Sequence, residues 1–395
     1  MNRTRSHILP AIVIAQFFCT SLWFAGNAIL PDLALHLHIP SQRLGNITSA
    51  VQFGFITGTL VYTTLLIADR FSPSKVFFVS ALLAAISNAG IVFITPGINS
   101  LLFMRFLTGF FLAGIYPVGM KIAADYYQKG LGKALGFLVG ALVIGTAFPH
   151  LIKSLTTVLP WKAVLYSTSA LSVTGGTVML LLVGTGPYQS KMQSLQYRNV
   201  LLSFKNKNFR SAAFGYFGHM WELYAFWAFV PVLLNTYASL HTAANLKISY
   251  LSFCIIAVGG LACVASGYLS QRFGAKKTAF VSLMLSCGCC LLSPLAFYLP
   301  VIPFIMFLVF WGLVVIADSP IFSSLIAQNA ITSIKGTAIT MVTCIGFSIT
   351  IVSIELLNYL SEHFDRQYIF LFLGIGPVAG LLWMLVGRRN QANSI

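Results

Sequence analysis

His219 and Glu222 stand three residues apart in "GYFGHMWELY" (215–224), inside an apolar run, so a helix would put an imidazole and a carboxylate on one face. Such a pair can take up and release a proton, because burial favours the neutral carboxyl while a neighbouring imidazolium favours the charged one. The same two groups could instead form a hydrogen-bonded lock that ties one helix to another. Arg105, in a second apolar run, could hold an anion bidentately, or it could bond helix-end carbonyls as a structural arginine. Asp318 stands just before Pro320, which frees a backbone carbonyl, so its carboxylate could titrate or cap a break in the helix. His150 and Glu355 lie 205 residues apart and read either as an outer gate or as a structural salt bridge. Trp23, Tyr116, Trp221 and Tyr224, with Trp227 and Trp311, could pack a planar or apolar solute or serve as ordinary packing and interface anchors. Gln16, Asn27 and Gln52 could supply hydrogen bonds to it. Each ionisable group in a membrane interior costs about 2.5–3.5 kcal/mol on insertion scales, so each needs a partner, a wet cavity or a function.

The elements that position these side chains follow from composition. Of the 395 residues 57% are hydrophobic and 8% charged, too few charges to solvate a soluble domain of this length. The net charge of +16 is scattered between apolar runs, which fits topology signals and excludes a nucleic-acid-binding face. Twelve runs reach the roughly 20 residues a membrane helix needs. They cover 8–30, 44–67, 75–95, 99–121, 133–153, 162–184, 211–235, 247–270, 278–299, 302–325, 337–360 and 368–387. "MNRTRSH" precedes an apolar core too long for a signal peptide, so the first run is expected to remain as a helix. All seven cysteines fall inside the runs, which argues against disulfides, and "CGCC" (287–290) lacks the His or acidic neighbours of a metal site. No metal and no cofactor is expected.

With a cytoplasmic amino terminus, eighteen of the 24 Lys and Arg residues lie in loops on that side, five lie opposite, and Arg105 alone sits within a span. Cationic loops are retained in the cytoplasm, so both termini are expected inside, in a bacterial inner membrane. Residues 185–210 carry five cations and no acid and divide the spans six and six. The expected organisation is therefore an amino-terminal bundle (1–184), a basic cytoplasmic linker (185–210) and a carboxyl-terminal bundle (211–395). The halves echo each other: Ala-x-x-Ala-x-x-Pro ends at Pro31 and Pro231, and Gly109 and Pro117 are matched by Gly312 and Pro320. A charged turn recurs as well, "LLIADRFSPSK" (65–75) and "GYLSQRFGAKK" (267–277), with Arg70 answering to Arg272. Six spans per repeat is even, which gives two parallel bundles related by an axis along the membrane normal.

At these residues the chain resembles the major facilitator superfamily of secondary transporters. That family's turn, Gly-x-Leu-Ala-Asp-Arg-x-Gly-x-Arg/Lys-Arg/Lys, is matched by Ala68, Asp69, Arg70 and Lys75, and more fully by Gly267, Leu269, Arg272, Gly274, Lys276 and Lys277. Leu65 and Ser72 replace the glycines of the first copy, and Gln271 replaces the acid of the second. Arg105 and Gly109 match a further feature, Arg-x-x-x-Gly in the fourth span. The resemblance implies an all-α fold of twelve transmembrane helices, a cavity lined mainly by the first, fourth, seventh and tenth spans, and gating roles for Asp69, Arg70, Arg272 and Lys276. Within the superfamily, "GYFGHMWELYAFWAFVP" (215–231) and "GKALGFLVGALVIGTAFPHL" (132–151) are similar to the nitrate/nitrite or cyanate permease-like branch. Its glycine-dense nitrate signature is absent, so nitrate is not inferred. Gly136, Gly140 and Gly145 occupy the fifth span without the Gly-Pro pair that marks proton-driven drug exporters.

The expectation is a secondary transporter using alternating access, coupled to protons, that moves a small solute, an organic or inorganic anion being favoured by Arg105 and the cationic balance of the chain. The alternative within transport is a proton-coupled exporter of amphipathic compounds. No Gly-x-x-x-x-Gly-Lys-Ser/Thr loop is present for a primary pump. A membrane-embedded transferase would need a catalytic cluster that the sequence lacks, and a transporter-like sensor would need an output domain. Expected partners are the solute, protons and the bilayer, with no nucleic acid, and a monomer is expected.

Overall fold

Inside a bilayer no water satisfies backbone groups, so a spanning segment must bond its own N–H and C=O groups, which selects helices. A computed structural model describes residues 6–36, 44–93, 97–127, 131–155, 161–188, 201–242, 245–331 and 335–392, and among these there are helices and no strand. Helices α1 (Ile8–Thr20), α2 (Ala25–Ala28) and α3 (Leu30–His36) occupy the first span. Then come α4 (Leu44–Thr64), α5 (Ile67–Arg70), α6 (Pro73–Gly90), α7 (Ile98–Leu112), α8 (Tyr116–Tyr126), α9 (Leu131–Leu155) and α10 (Lys162–Leu182). The remainder holds α11 (Lys207–Leu240), α12 (Ile248–Phe273), α13 (Ala275–Ala296), α14 (Val301–Ala317), α15 (Ser319–Asn329), α16 (Lys335–His363), a 3₁₀ turn (Ile369–Gly374) and α17 (Ile375–Ala392). Among the described residues eight helical segments are long and apolar enough to cross a membrane, joined by shorter apolar helices at Ile8–Thr20 and Ile369–Leu385. With α4 and α6 these fall on all twelve expected runs, and the fold is an all-α membrane protein of two six-helix bundles. Phe93, Leu181 and Ile302 stay more than 70% exposed, costly in water and ordinary against lipid tails.

Grouped by contact, the chain forms two compact units, residues 1–192 with 249–260 and residues 193–248 with 261–395. In the first, α4 packs on α7, α6 on α10, and α1 on α9 and α10. In the second, α11 packs on α16 and α17. Small residues set the closest crossing: a Cβ on Gly109 of α7 would lie 2.0 Å from the Val51 carbonyl oxygen of α4, so the two backbones touch. Of the expected linker, residues 189–200 lie outside the described residues, as do Arg3, Arg5, Arg43 and Lys129. Helix α11 starts at Lys207, four residues before the expected start of its span, where the Asn206 side chain accepts from the Asn208 and Phe209 N–H groups.

Two spans break where proline dictates. Pro117 lies in the first turn of α8 and Pro320 in that of α15; each lacks the N–H that would bond the carbonyl four residues earlier. At the second break the thiol of Cys263 donates to that carbonyl, Ile316 O, at 3.8 Å. The first span also breaks, over residues 21–24, where there is no proline. The repeated charged turn is built in two ways. In the second copy α12 runs unbroken to Phe273 and ends on Gly274 at φ 88°, a region that favours glycine. In the first copy Ser72 sits at φ −56°, where no glycine is required, and the left-handed residue is Leu66 at φ 51°.

Candidate functional site

Two polar centres lie inside the second unit. His219 of α11 places Nδ1 2.8 Å from Oδ1 of Asp318, the residue between α14 and α15, and both side chains are 1% exposed. The approach is off the line of a hydrogen bond, so His219 Nε2 and both Asp318 oxygens keep unused capacity. Glu222, one helical turn further along α11, accepts from Trp311 Nε1 of α14 at 2.6 Å, from Cys290 Sγ of α13 at 3.2 Å, and from the Ser286 hydroxyl. The imidazole's partner is thus Asp318 and not Glu222, because Glu222 faces α13 and α14. "CGCC" contributes a thiol to a carboxylate, and no group of three or more metal-binding side chains occurs among the described residues.

Arg105 is fully buried in the first unit. Its Nη1 donates to the Leu22 carbonyl and to Asn88 Oδ1, both at 3.2 Å, and its Nη2 donates to the Trp23 carbonyl at 2.6 Å. These carbonyls belong to the break in the first span, whose orphaned acceptors need donors in a dry interior. Asn88 Nδ2 in turn reaches Leu165 O, Thr168 Oγ1 and Ser169 Oγ of α10 at 3.0–3.1 Å. Of the two roles open to Arg105, the carbonyl-bonding one is the one the geometry shows.

Around this centre Trp23 is buried with its ring 4.8 Å from Phe55, and Asn27 Nδ2 donates to Thr48 Oγ1 at 2.6 Å. Gln16 and Gln52 are wholly buried with side-chain N and O atoms that find no protein partner. Tyr116 is half-buried at the start of α8. Tyr224 is buried edge-on to Trp227 at 5.2 Å and beside Phe347 at 5.2 Å, whereas Trp221 donates Nε1 to the Phe372 carbonyl at 3.0 Å as a wall contact. Among the gating candidates, Asp69 pairs with Lys121 of α8 at 2.9 Å and Arg70 is exposed. Arg272 is exposed with its guanidinium 5.4 Å over the Phe273 ring, and Lys276 is half-buried. His150 is buried in α9 with Nε2 unpartnered; Glu355 is half-buried in α16. Sequence reasoning missed Asn88 and the donors to Glu222; it also missed Asp125, 3% exposed, and the Lys153–Asp32 pair. Only the polarity of Asn88, Ser286 and Asp125 inside or at the end of apolar runs offered a signal.

A family model described as Major Facilitator Superfamily matches residues 12–354. The nucleoside transporter NupG is similar in structure, with a TM-score of 0.72 at 15% identity over 96% of this chain and 99% of that one. A bacterial homologue of the human lysosomal transporter Spinster, inward-facing and unoccupied, is similar at a TM-score of 0.64 and 13% identity over 98% of this chain and 96% of that one. No curated protein matches the sequence. At these identities the structural likeness carries the fold and singles out no branch. Helices on all twelve spans and a family model over most of the length agree: the chain belongs to the Major Facilitator Superfamily of membrane transporters.

Proposed function

We propose that the chain is a proton-coupled secondary transporter of a small hydrogen-bonding solute, working by alternating access, with His219 and Asp318 as the proton-bearing centre. The observation that carries this reading is a buried imidazole–carboxylate contact of 2.8 Å, at a proline-broken span, with acceptor capacity left over. Holding one titratable proton between them, the two groups are net neutral; without it they carry one negative charge, which a dry interior penalises. Exchange of that proton as the pair faces one side and then the other is what couples solute to proton in this reading. Glu222 already accepts from three donors on α13 and α14, and we assign it a structural role in this reading.

The setting we propose is a bacterial inner membrane with both termini cytoplasmic, where the cationic loops fall, and halves divided within 185–210. Gln16, Asn27 and Gln52 of the first unit, with acceptors or donors unused, support a solute bound by neutral hydrogen bonds. The name of NupG makes nucleosides the first probes; carboxylates test the anion class and amphipathic dyes test the exporter alternative. In proteoliposomes, one probe should accumulate only under an imposed pH gradient. Asp318→Asn should abolish that accumulation while leaving solute counterflow. Uptake indifferent to the gradient, or an Asp318→Asn protein that still accumulates solute, overturns the coupling.

A further inference from the structure

Helix α4 turns one stripe toward the first span, because Thr48, Gln52 and Phe55 follow at four- and three-residue steps and share a face. Two contacts fix that stripe: Asn27 Nδ2 donates to Thr48 Oγ1 at 2.6 Å, and the Trp23 ring lies 4.8 Å from Phe55. Gln52 sits in the seam between them, 0% exposed, and neither its Nε2 nor its Oε1 finds a partner among the described residues. Asn27 Oδ1 and, one turn past Phe55, Thr59 Oγ1 are likewise buried and unpartnered among them. Gln16 lies two turns before Trp23 on the first span. It too is 0% exposed with both amide atoms unpartnered, and its Oε1 fills the space that a Cβ on Gly119 of α8 would need.

Six buried N and O atoms lie along this seam without partners, two on each glutamine and one each on Asn27 and Thr59. They destabilise the fold unless something pairs with them in another state. A carboxamide presents a donor and an acceptor in one plane, which complements a cis-amide edge, N–H beside C=O, through two hydrogen bonds. The Trp23–Phe55 pair beside Gln52 offers the flat apolar surface that a ring bearing this edge needs. Neither stripe carries a charged side chain. Between Ile8 and Thr64 the only Asp, Glu, Lys or Arg residues are Asp32 and Arg43, and Asp32 pairs with Lys153 of α9. Arg105 turns Nη1 and Nη2 to the carbonyls of the break and to Asn88. Resting on the transport reading above, we infer that this seam selects the solute, a neutral planar ring whose cis-amide edge pairs with Gln52 and whose polar arm reaches Gln16. Seven residues separate Gln16 from Trp23, roughly 10 Å at 1.5 Å per residue, which sets the length of that arm. The side chains close the seam in this state, so the solute enters as the first span draws back from α4 at its break over residues 21–24.

The test reads solute binding as thermal stabilisation of the full-length protein in detergent, which needs no gradient. Its probes are uridine, N3-methyluridine, whose methyl blocks the cis-amide edge, and uracil, which has the edge without the arm. Uridine should bind saturably, and N3-methyluridine about tenfold more weakly. Gln52→Met should remove that discrimination, and Gln16→Met should weaken uridine about tenfold while leaving uracil unchanged. Because neither amide is bonded within the protein, both methionine variants should unfold at or above the wild-type temperature when no solute is present. An amide that is structural, or that serves only an ordered water, would instead lower it. Lower unfolding temperatures, equal affinity for uridine and N3-methyluridine in the wild type, or no binding of uridine overturns the site. Uptake by proteoliposomes separates this from the coupling. Gradient-indifferent uptake that still rejects N3-methyluridine upholds the seam and removes the proton; gradient-driven accumulation of both compounds alike upholds the proton and removes the seam.

Discussion

The Arg105 guanidinium spends Nη1 and Nη2 on the Leu22 and Trp23 carbonyls and on Asn88, so Arg105→Ala would strand the Trp23 carbonyl and Asn88 Oδ1 in a dry interior and leave the Leu22 carbonyl only the 3.4 Å bond from Ala25 N–H. Losing one side of such a buried charged network costs about 3–5 kcal/mol, and the measurement is thermal or urea unfolding in detergent. Arg105→Lys should recover only part of this, because an ammonium cannot span both carbonyls in one plane. A near-normal unfolding temperature with weakened solute binding would return Arg105 to the solute. Glu222→Gln gives the complementary case. The amide oxygen can still accept from Trp311 and Cys290, but its NH2 cannot accept from the Ser286 hydroxyl, so that bond must reverse or be lost, for roughly 1–3 kcal/mol of stability. Gradient-driven uptake should survive, and its loss would move the coupling proton from Asp318 to Glu222. The sequence showed both carboxylates and both imidazoles as buried oddities, but not who pairs with whom. Three residues along a helix leave two side chains about 60° apart around the axis, enough for His219 and Glu222 to reach different neighbours. Which neighbours these are depends on α13, α14 and the 318 break, separated from α11 by dozens of residues.

At the scale of elements, the spans were legible because the apolar runs must be near twenty residues to cross a bilayer, and the observed helices fall on them. The break at Pro320 was legible from the missing N–H, whereas Pro117 was read only as its counterpart in the repeat. The break at residues 21–24 was not, since the donor that makes it tolerable is Arg105 from another span. Likewise the two charged turns read as copies, but one ends its helix on Gly274 and the other shifts its left-handed residue to Leu66. Helix contact gives a sharp prediction. Gly109→Leu should prevent α4 from seating on α7, since even a Cβ there would sit 2.0 Å from the Val51 carbonyl. Gly288→Ala in α13 is the control, with nothing within 4 Å of the added carbon, and should be neutral or gain up to about 1 kcal/mol of helix propensity. Folded, monodisperse Gly109→Leu protein on size exclusion would mean that the two helices do not meet through their backbones.

For the whole molecule the decisive quantity is the placement of charge across the bilayer, because the proposed orientation and the direction of proton flow both depend on it. Lys207 opens α11 among cations, while Glu362 and Asp365 flank the end of α16, some thirty residues of helix from its Lys335 start. In the proposed orientation Lys207 faces the cytoplasm and His363 the outside. The native cysteines give a quiet background for testing this, since six of the seven are buried and Cys254 is half-buried. In intact cells a membrane-impermeant maleimide should label His363→Cys at once and Lys207→Cys only after permeabilisation; both positions are exposed, so access is not limited by packing. The reverse pattern would invert the molecule. It would require the proton at Asp318 to be loaded from the opposite side. Labelling of both positions in intact cells would break the odd count of five crossings between them that six-helix bundles demand, and with it the assignment of α11, α12, α13, the α14–α15 pair and α16 to single crossings.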